Sequence, residues 1–220
     1  MEEKSVKIVL KLICIYLLMM AIPIMVRKYL YETDLLNGYM YTILSAVCWT
    51  SISVIVAKLD HLTWNDLGIR RRNMFRQIGT GIILFLIQFS IFKLIPLIMD
   101  SDSFTIAGTA QITMNAIIRN FVLYVVFVAL AEEIFFRGYF YAKIKTESNN
   151  PRLAIFVTAM LFGIAHIHNI LDILTGIHAI LVGTLYGIFR EKVPNCSLIS
   201  LILAHGLNNI MADLLSGNFH

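Results

Sequence analysis

The chain has 220 residues, of which 58% are hydrophobic and only 15% charged, and its mean hydropathy is +0.76. A domain of this size cannot hide so much apolar surface from water, which excludes intrinsic disorder and a freely soluble cytosolic enzyme. The excess of four positive charges lies between apolar blocks, so it speaks for membrane topology and against a nucleic-acid partner.

Seven apolar stretches follow in chain order, at about 8–26, 39–57, 78–99, 116–142, 153–170, 173–189 and 197–215. Most reach the roughly 17–25 residues that a helix needs to cross a bilayer. The fourth is longer, so its ends project beyond the hydrocarbon. The first could pass for a signal peptide. Its mixed-charge flank Met-Glu-Glu-Lys, its length and the poor cleavage sequence Ala21-Ile22-Pro23 predict a retained helix instead. The expected fold is all-α, a polytopic transmembrane bundle of about seven to eight helices forming one integral membrane domain over 1–220.

The segments between stretches carry an orientation signal. Lys4, Lys7, Lys58, Arg70, Arg71, Arg72, Arg76, Lys143, Lys145, Arg152, Arg190 and Lys192 fall on one side, and only Arg27 and Lys28 on the other. By the positive-inside rule the N-terminus is expected in the cytoplasm of a multi-pass cell-membrane protein. The arginines of the loop 66–76 read as a topology determinant with lipid contacts. Lys11, Lys93 and Arg119, near stretch ends, are expected to snorkel toward headgroups. Cys14, Cys48 and Cys196 lack metal-type spacing and are expected to be buried packing thiols with no disulfide framework.

Other polar residues lie too deep for that explanation. Glu132, Glu133 and Arg137 are in the fourth stretch, His166 in the fifth, and His205 with Asn209 in the seventh. At about 1.5 Å per residue, Glu132 is about 16 Å from Lys143, His166 about 21 Å from Arg152, and His205 about 13–20 Å from the segment before it. Three helices thus bring ionisable groups to a common depth near the centre of a core about 30 Å thick, where such groups face a protein interior or a wet cavity.

Spacing adds to depth. Glu133 and Arg137 are i,i+4 neighbours, so the guanidinium can hold that carboxylate. Glu132 lies about 100° round the helix and is free to act as a base. His205 and Asn209 are also i,i+4 and can point at one oxygen atom, while Phe162, four residues before His166, can pack beneath its ring. A carboxylate, two histidines and an amide suit water activation with stabilisation of an oxyanion. His168 and His178 read as packing histidines, His168 being the better placed to line a cavity, and Asn208 as a helix–helix hydrogen-bond residue.

These residues resemble a known pattern. Glu132-Glu133-Ile-Phe-Phe-Arg137, followed by Gly138, resembles the EExxxR motif of the CPBP family of intramembrane proteases, which groups CAAX prenyl proteases with bacteriocin-processing and immunity proteins. Phe162-Gly-Ile-Ala-His166 is similar to its FxxxH motif and His205-Gly-Leu-Asn-Asn209 to its HxxxN motif. The resemblance spans about 116–215, the expected protease core. It implies a membrane-embedded endopeptidase cutting near the C-terminus of a peptide or membrane-associated protein. It also implies that Glu132 and His166 activate water, that His205 and Asn209 cradle the oxyanion, and that Glu133 and Arg137 support them. Leu201 stands where relatives often have proline, and seven helices are counted where the family more often has eight. The family has been described as metalloproteases, and Glu132, His166 and His205 could bind zinc. The absence of HExxH and the poor ligand Asn209 favour a site without metal or other cofactor. The competing expectations are a non-catalytic immunity or regulatory protein that binds a toxin or sensor, and a small proton-coupled carrier.

Overall fold

The computed structural model describes residues 2–32, 37–94, 113–167, 169 and 172–216. Each of the seven apolar stretches holds a helix within its described residues, positions 95–99 of the third lying outside them, and among the described residues there is no strand. Helix α1 spans Glu2–Val26 and continues as a π-helical turn, α2 spans Gly38–Leu59, and α3 spans Met74–Phe89 with a π-helical extension. Helix α4 is one rod, Met114–Ser148. Helices α5, α6 and α7 cover Pro151–Ala165, Ile173–Lys192 and Leu198–Ser216.

Six of these helices are long and apolar enough to cross a membrane, the exception being α5. The chain is a multi-pass membrane protein. Helix α5, with 15 residues, covers only about 22 Å. The sequence expectation of a crossing over 153–170 is therefore corrected: the helix ends at Ala165 and His166 is its C-cap. Its start is firm, because Asn150 accepts from the backbone N–H groups of Arg152 and Leu153 and Pro151 sits in the first turn.

Helix α4 alternates between two windings. Met114–Phe121, Leu130–Glu133 and Tyr141–Ser148 are α-helical, whereas Val122–Ala129 and Ile134–Phe140 are π-helical. The two glutamates thus stand on a single α-turn between wider turns, a feature that recurs at functional sites.

Around α4 the bundle closes on two apolar clusters. One joins Met19 of α1, Trp49 of α2 and Phe162 of α5 to Phe135, Phe136, Tyr139 and Phe140. The other joins Leu84 of α3, Tyr186 of α6 and Leu198 and Leu201 of α7 to Ile134. Close crossings use glycine. A Cβ on Gly163 would lie 2.7 Å from the Gly176 carbonyl, so α5 and α6 touch backbone to backbone, and one on Gly206 would lie 2.4 Å from Val125 Cγ2.

The third helix buries Gln77, Gly81, Leu84 and Gln88 along one face. Gln77 donates to the carbonyls of Arg70 and Arg72 at 2.9 and 2.5 Å and accepts from the Ser197 hydroxyl, tying the basic loop to the start of α7. Leu198 N–H donates to the Gly68 carbonyl at 2.9 Å, and Leu201 N–H donates to the Ser197 carbonyl at 3.2 Å. A proline at 201 would lack that donor, so leucine fits this helix start.

Two of the cations expected near headgroups have protein partners, and one expectation changes. The Lys11 ammonium meets Asp60 at 2.6 Å. Arg119 lies over the Tyr39 ring at 5.0 Å. Of the cysteines, all free, only Cys196 is buried, while Cys14 is exposed on the outside of α1 and Cys48 is intermediate. In a bilayer the outer face of a helix is also apolar, so apolar sequence does not imply burial. His168 and the side chain of Lys93 lie outside the described residues.

Candidate functional site

The centre of the bundle holds a chain of charged and polar groups drawn from α4 and α7. Arg137 Nη1 lies 3.2 Å from Glu133 Oε1, and both side chains are essentially inaccessible, at 1% and 0%. The same Glu133 oxygen lies 2.8 Å from His205 Nδ1. The other face of that imidazole, Nε2, lies 3.7 Å from Glu132 Oε2. His205 is therefore clasped between consecutive glutamates, one buried and one partly accessible. Spacing alone placed Glu133 with Arg137, but gave no sign that Glu133 also fixes the histidine of α7.

Hydrogen-bond partners assign proton positions. The Glu133 carboxylate accepts, so His205 Nδ1 donates. In α5, His166 Nδ1 lies 2.8 Å from the Phe162 carbonyl. A carbonyl only accepts, so His166 Nδ1 donates, and in the neutral imidazole Nε2 is then the acceptor. This bond also satisfies a carbonyl freed where α5 stops.

Phe162 links the parts. Its ring meets His166 edge-on at 4.5 Å, His205 at 6.0 Å and Phe136 at 5.1 Å, and the Arg137 guanidinium sits over it at 4.0 Å. A flat, delocalised cation suits this slot better than an ammonium. The slot is tight, since a Cβ on Gly183 of α6 would lie 2.9 Å from Arg137 Nη2. Asn209 follows His205 by one turn of α7 and is half-buried, as is Asn208. His178 packs on Phe92 at 4.8 Å.

Sequence reasoning missed Tyr186 and Gln88. Tyr186 lies edge-on to His205 at 6.3 Å, and its hydroxyl donates to Gln88 Oε1 at 2.6 Å. The available signal was a glutamine in the apolar second half of α3, eleven residues and three turns from Gln77.

Among the described residues no group of three or more His, Cys, Asp or Glu is disposed to hold a metal ion. Glu133 and the Phe162 carbonyl already engage the Nδ1 atoms of His205 and His166. Those bonds leave the two Nε2 atoms over, and among the described residues they form no such group with Glu132.

Fold and site together define a polytopic helical membrane protein with an acid–histidine cluster inside its bundle. Residues 113–211 match the family described as Type II CAAX prenyl endopeptidase Rce1-like. The match covers all three motifs and agrees with the resemblance they carry, and it leaves out α1, α2 and α3. No curated protein and no solved structure showed a match to the chain.

Proposed function

We propose that the chain is an intramembrane endopeptidase that hydrolyses a peptide bond near the C-terminus of a membrane-associated protein or peptide. The observation that supports this most directly is the clasp of His205 between Glu133 at 2.8 Å and Glu132 at 3.7 Å. In the proposed reaction Glu132 takes a proton from water, with the free Nε2 of His166 as its partner, and the water oxygen bonds to the scissile carbonyl carbon. The developing oxyanion accepts from His205 Nε2–H and from the Asn209 carboxamide. A ring flanked by carboxylates on both nitrogens suits the form in which both carry protons. Glu133 holds that ring and Arg137 holds Glu133. Collapse of the intermediate breaks the C–N bond, and the proton on Glu132 passes to the leaving amine.

In this reading no cofactor takes part, the N-terminus is cytoplasmic, and the bilayer and a peptide or membrane-protein substrate are the partners. Loss of activity to a chelator, restored by zinc, would overturn the metal-free part.

The test is comparative mass spectrometry of peptides from cells carrying wild type and Glu132→Gln. Products should vanish in the variant, and His166→Ala and His205→Ala should behave alike while inserting normally. Identical peptide profiles would count against an endopeptidase and favour a protein that acts only by binding.

A further inference from the structure

A cavity of about 140 Å³ lies between Pro23 of α1, Ser45 and Trp49 of α2, and Val128 and Glu132 of α4. Ser45 and Trp49 are i,i+4 on one helix face. Three polar atoms in its lining, Ser45 Oγ, Trp49 Nε1 and Glu132 Oε2, are shielded from solvent and make no hydrogen bond among the described residues. Trp49 as a whole is only 9% exposed. Its ring is set against Phe135 at 5.3 Å and Phe136 at 6.2 Å, so the N–H direction is fixed by packing.

Buried polar groups are hydrogen-bonded in folded proteins, so this trio calls for a polar occupant. The required chemistry is specific. The indole N–H only donates, the Glu132 carboxylate only accepts, and the serine hydroxyl does either. An occupant that meets both accepts from Trp49 and donates to Glu132, whose Oε2 also faces His205 Nε2 at 3.7 Å. Water does both, and a space of this size has room for it.

We propose that Trp49 and Ser45 form the water-loading site of Glu132. Their donors hold the oxygen of a water whose own O–H points at the carboxylate. The proposal rests on the endopeptidase reading. Each turnover consumes one water: its proton goes to Glu132 and its oxygen to the carbonyl carbon. In the interior of a bundle within lipid, a mostly apolar pocket with these three polar atoms in its lining and Glu132 in its wall supplies that reactant. Trp49 and Ser45 lie outside the family match over 113–211, so α2 contributes positioning residues that the three motifs do not contain.

Two measurements test this. With Trp64→Phe, Trp49 is the remaining tryptophan of two, and its ¹⁵N-labelled indole can be observed in lipid nanodiscs. A magnetisation-exchange cross-peak from the indole N–H to water is expected, and a dry indole overturns the proposal whether or not the protein is a peptidase. In peptidase assays, Trp49→Phe keeps the ring and loses the donor. It should lower kcat about tenfold, the scale of one hydrogen bond, with KM within about twofold. Ser45→Ala should act in the same direction, with Ser45→Thr restoring activity. Unchanged kcat, or a raised KM with intact kcat, overturns the proposal. A wild type with no peptidase activity instead removes the endopeptidase reading and leaves the indole result to decide hydration.

Discussion

His205 and Glu133 are joined at 2.8 Å through the imidazole Nδ1, and the Glu133 oxygen that receives this bond also receives Arg137 at 3.2 Å. One carboxylate oxygen thus orients the last helix and neutralises the buried cation of α4. The histidine inherits its direction from a charge pair that is fully inside the protein.

Removing one member of such a pair leaves the other charge buried without a partner. Arg137→Met is expected to destabilise the protein by about 3–5 kcal/mol, whereas Glu133→Leu with Arg137→Met should recover most of that loss. Neither variant should process substrate. Glu133→Gln, which keeps the shape and loses the charge that sets the His205 proton, should reduce activity about 10²–10⁴-fold, the scale seen when a histidine loses its orienting carboxylate. Unfolding in detergent beside a peptidase assay separates these effects. A double variant no more stable than Arg137→Met alone would reject the account of the pair.

Glycine positions predict a graded set of outcomes. Gly163→Ala would bring a Cβ within 2.7 Å of the Gly176 carbonyl and 2.3 Å of Ile180 Cγ1, and Gly183→Ala would press on Arg137 and on Ala159. Each should cost about 1–3 kcal/mol through forced separation of helices. Gly79 of α3 has nothing within 4 Å of an added Cβ, so Gly79→Ala should be neutral or stabilising by up to about 1 kcal/mol. Thermal shift assays on the three variants would show whether the crossings are as tight as drawn.

Acid should loosen the junction of α1, α2 and α4. Burial pushes the Asp60 carboxyl upward, but hydrogen bonds from Lys11, Tyr139 and Lys143, with the charge of Lys143, outweigh it and leave its pKa below the ordinary carboxylate value. A depressed folded-state pKa stabilises the protein above the unfolded value of about 3.9 and loses that contribution as pH falls through the folded value. The stability gap between wild type and Asp60→Asn should therefore be full at pH 6 and close progressively below about pH 4. A gap constant down to pH 3 would show that Asp60 contributes no titrating interaction.

Much of this architecture was legible because a bilayer imposes length and composition on every crossing helix, and three polar groups at matching depth could be read from rise alone. What was hidden has physical reasons. That α5 ends at His166 and uses the imidazole to satisfy its own carbonyl leaves no mark in the apolar stretch read over 153–170. The π-helical runs around Glu132 and Glu133 leave no periodic signature in a stretch apolar on all sides. Leu17 and Leu18 of α1 are 60% and 54% exposed, so hydrophobicity reports contact with lipid as readily as contact with protein. Lys11 found Asp60 across 49 residues, a distance over which pattern reading has no reach.

The Glu133–Arg137 bond also bears on how the molecule is assembled. Both partners belong to one helix, four residues apart, so α4 can close its own charge pair while entering the bilayer and need not wait for a neighbour. His205 comes 72 residues after Glu133 and meets a carboxylate already held in place. On the endopeptidase reading, biogenesis and chemistry are then ordered in time: the proposed machinery stays incomplete until α7 has been delivered.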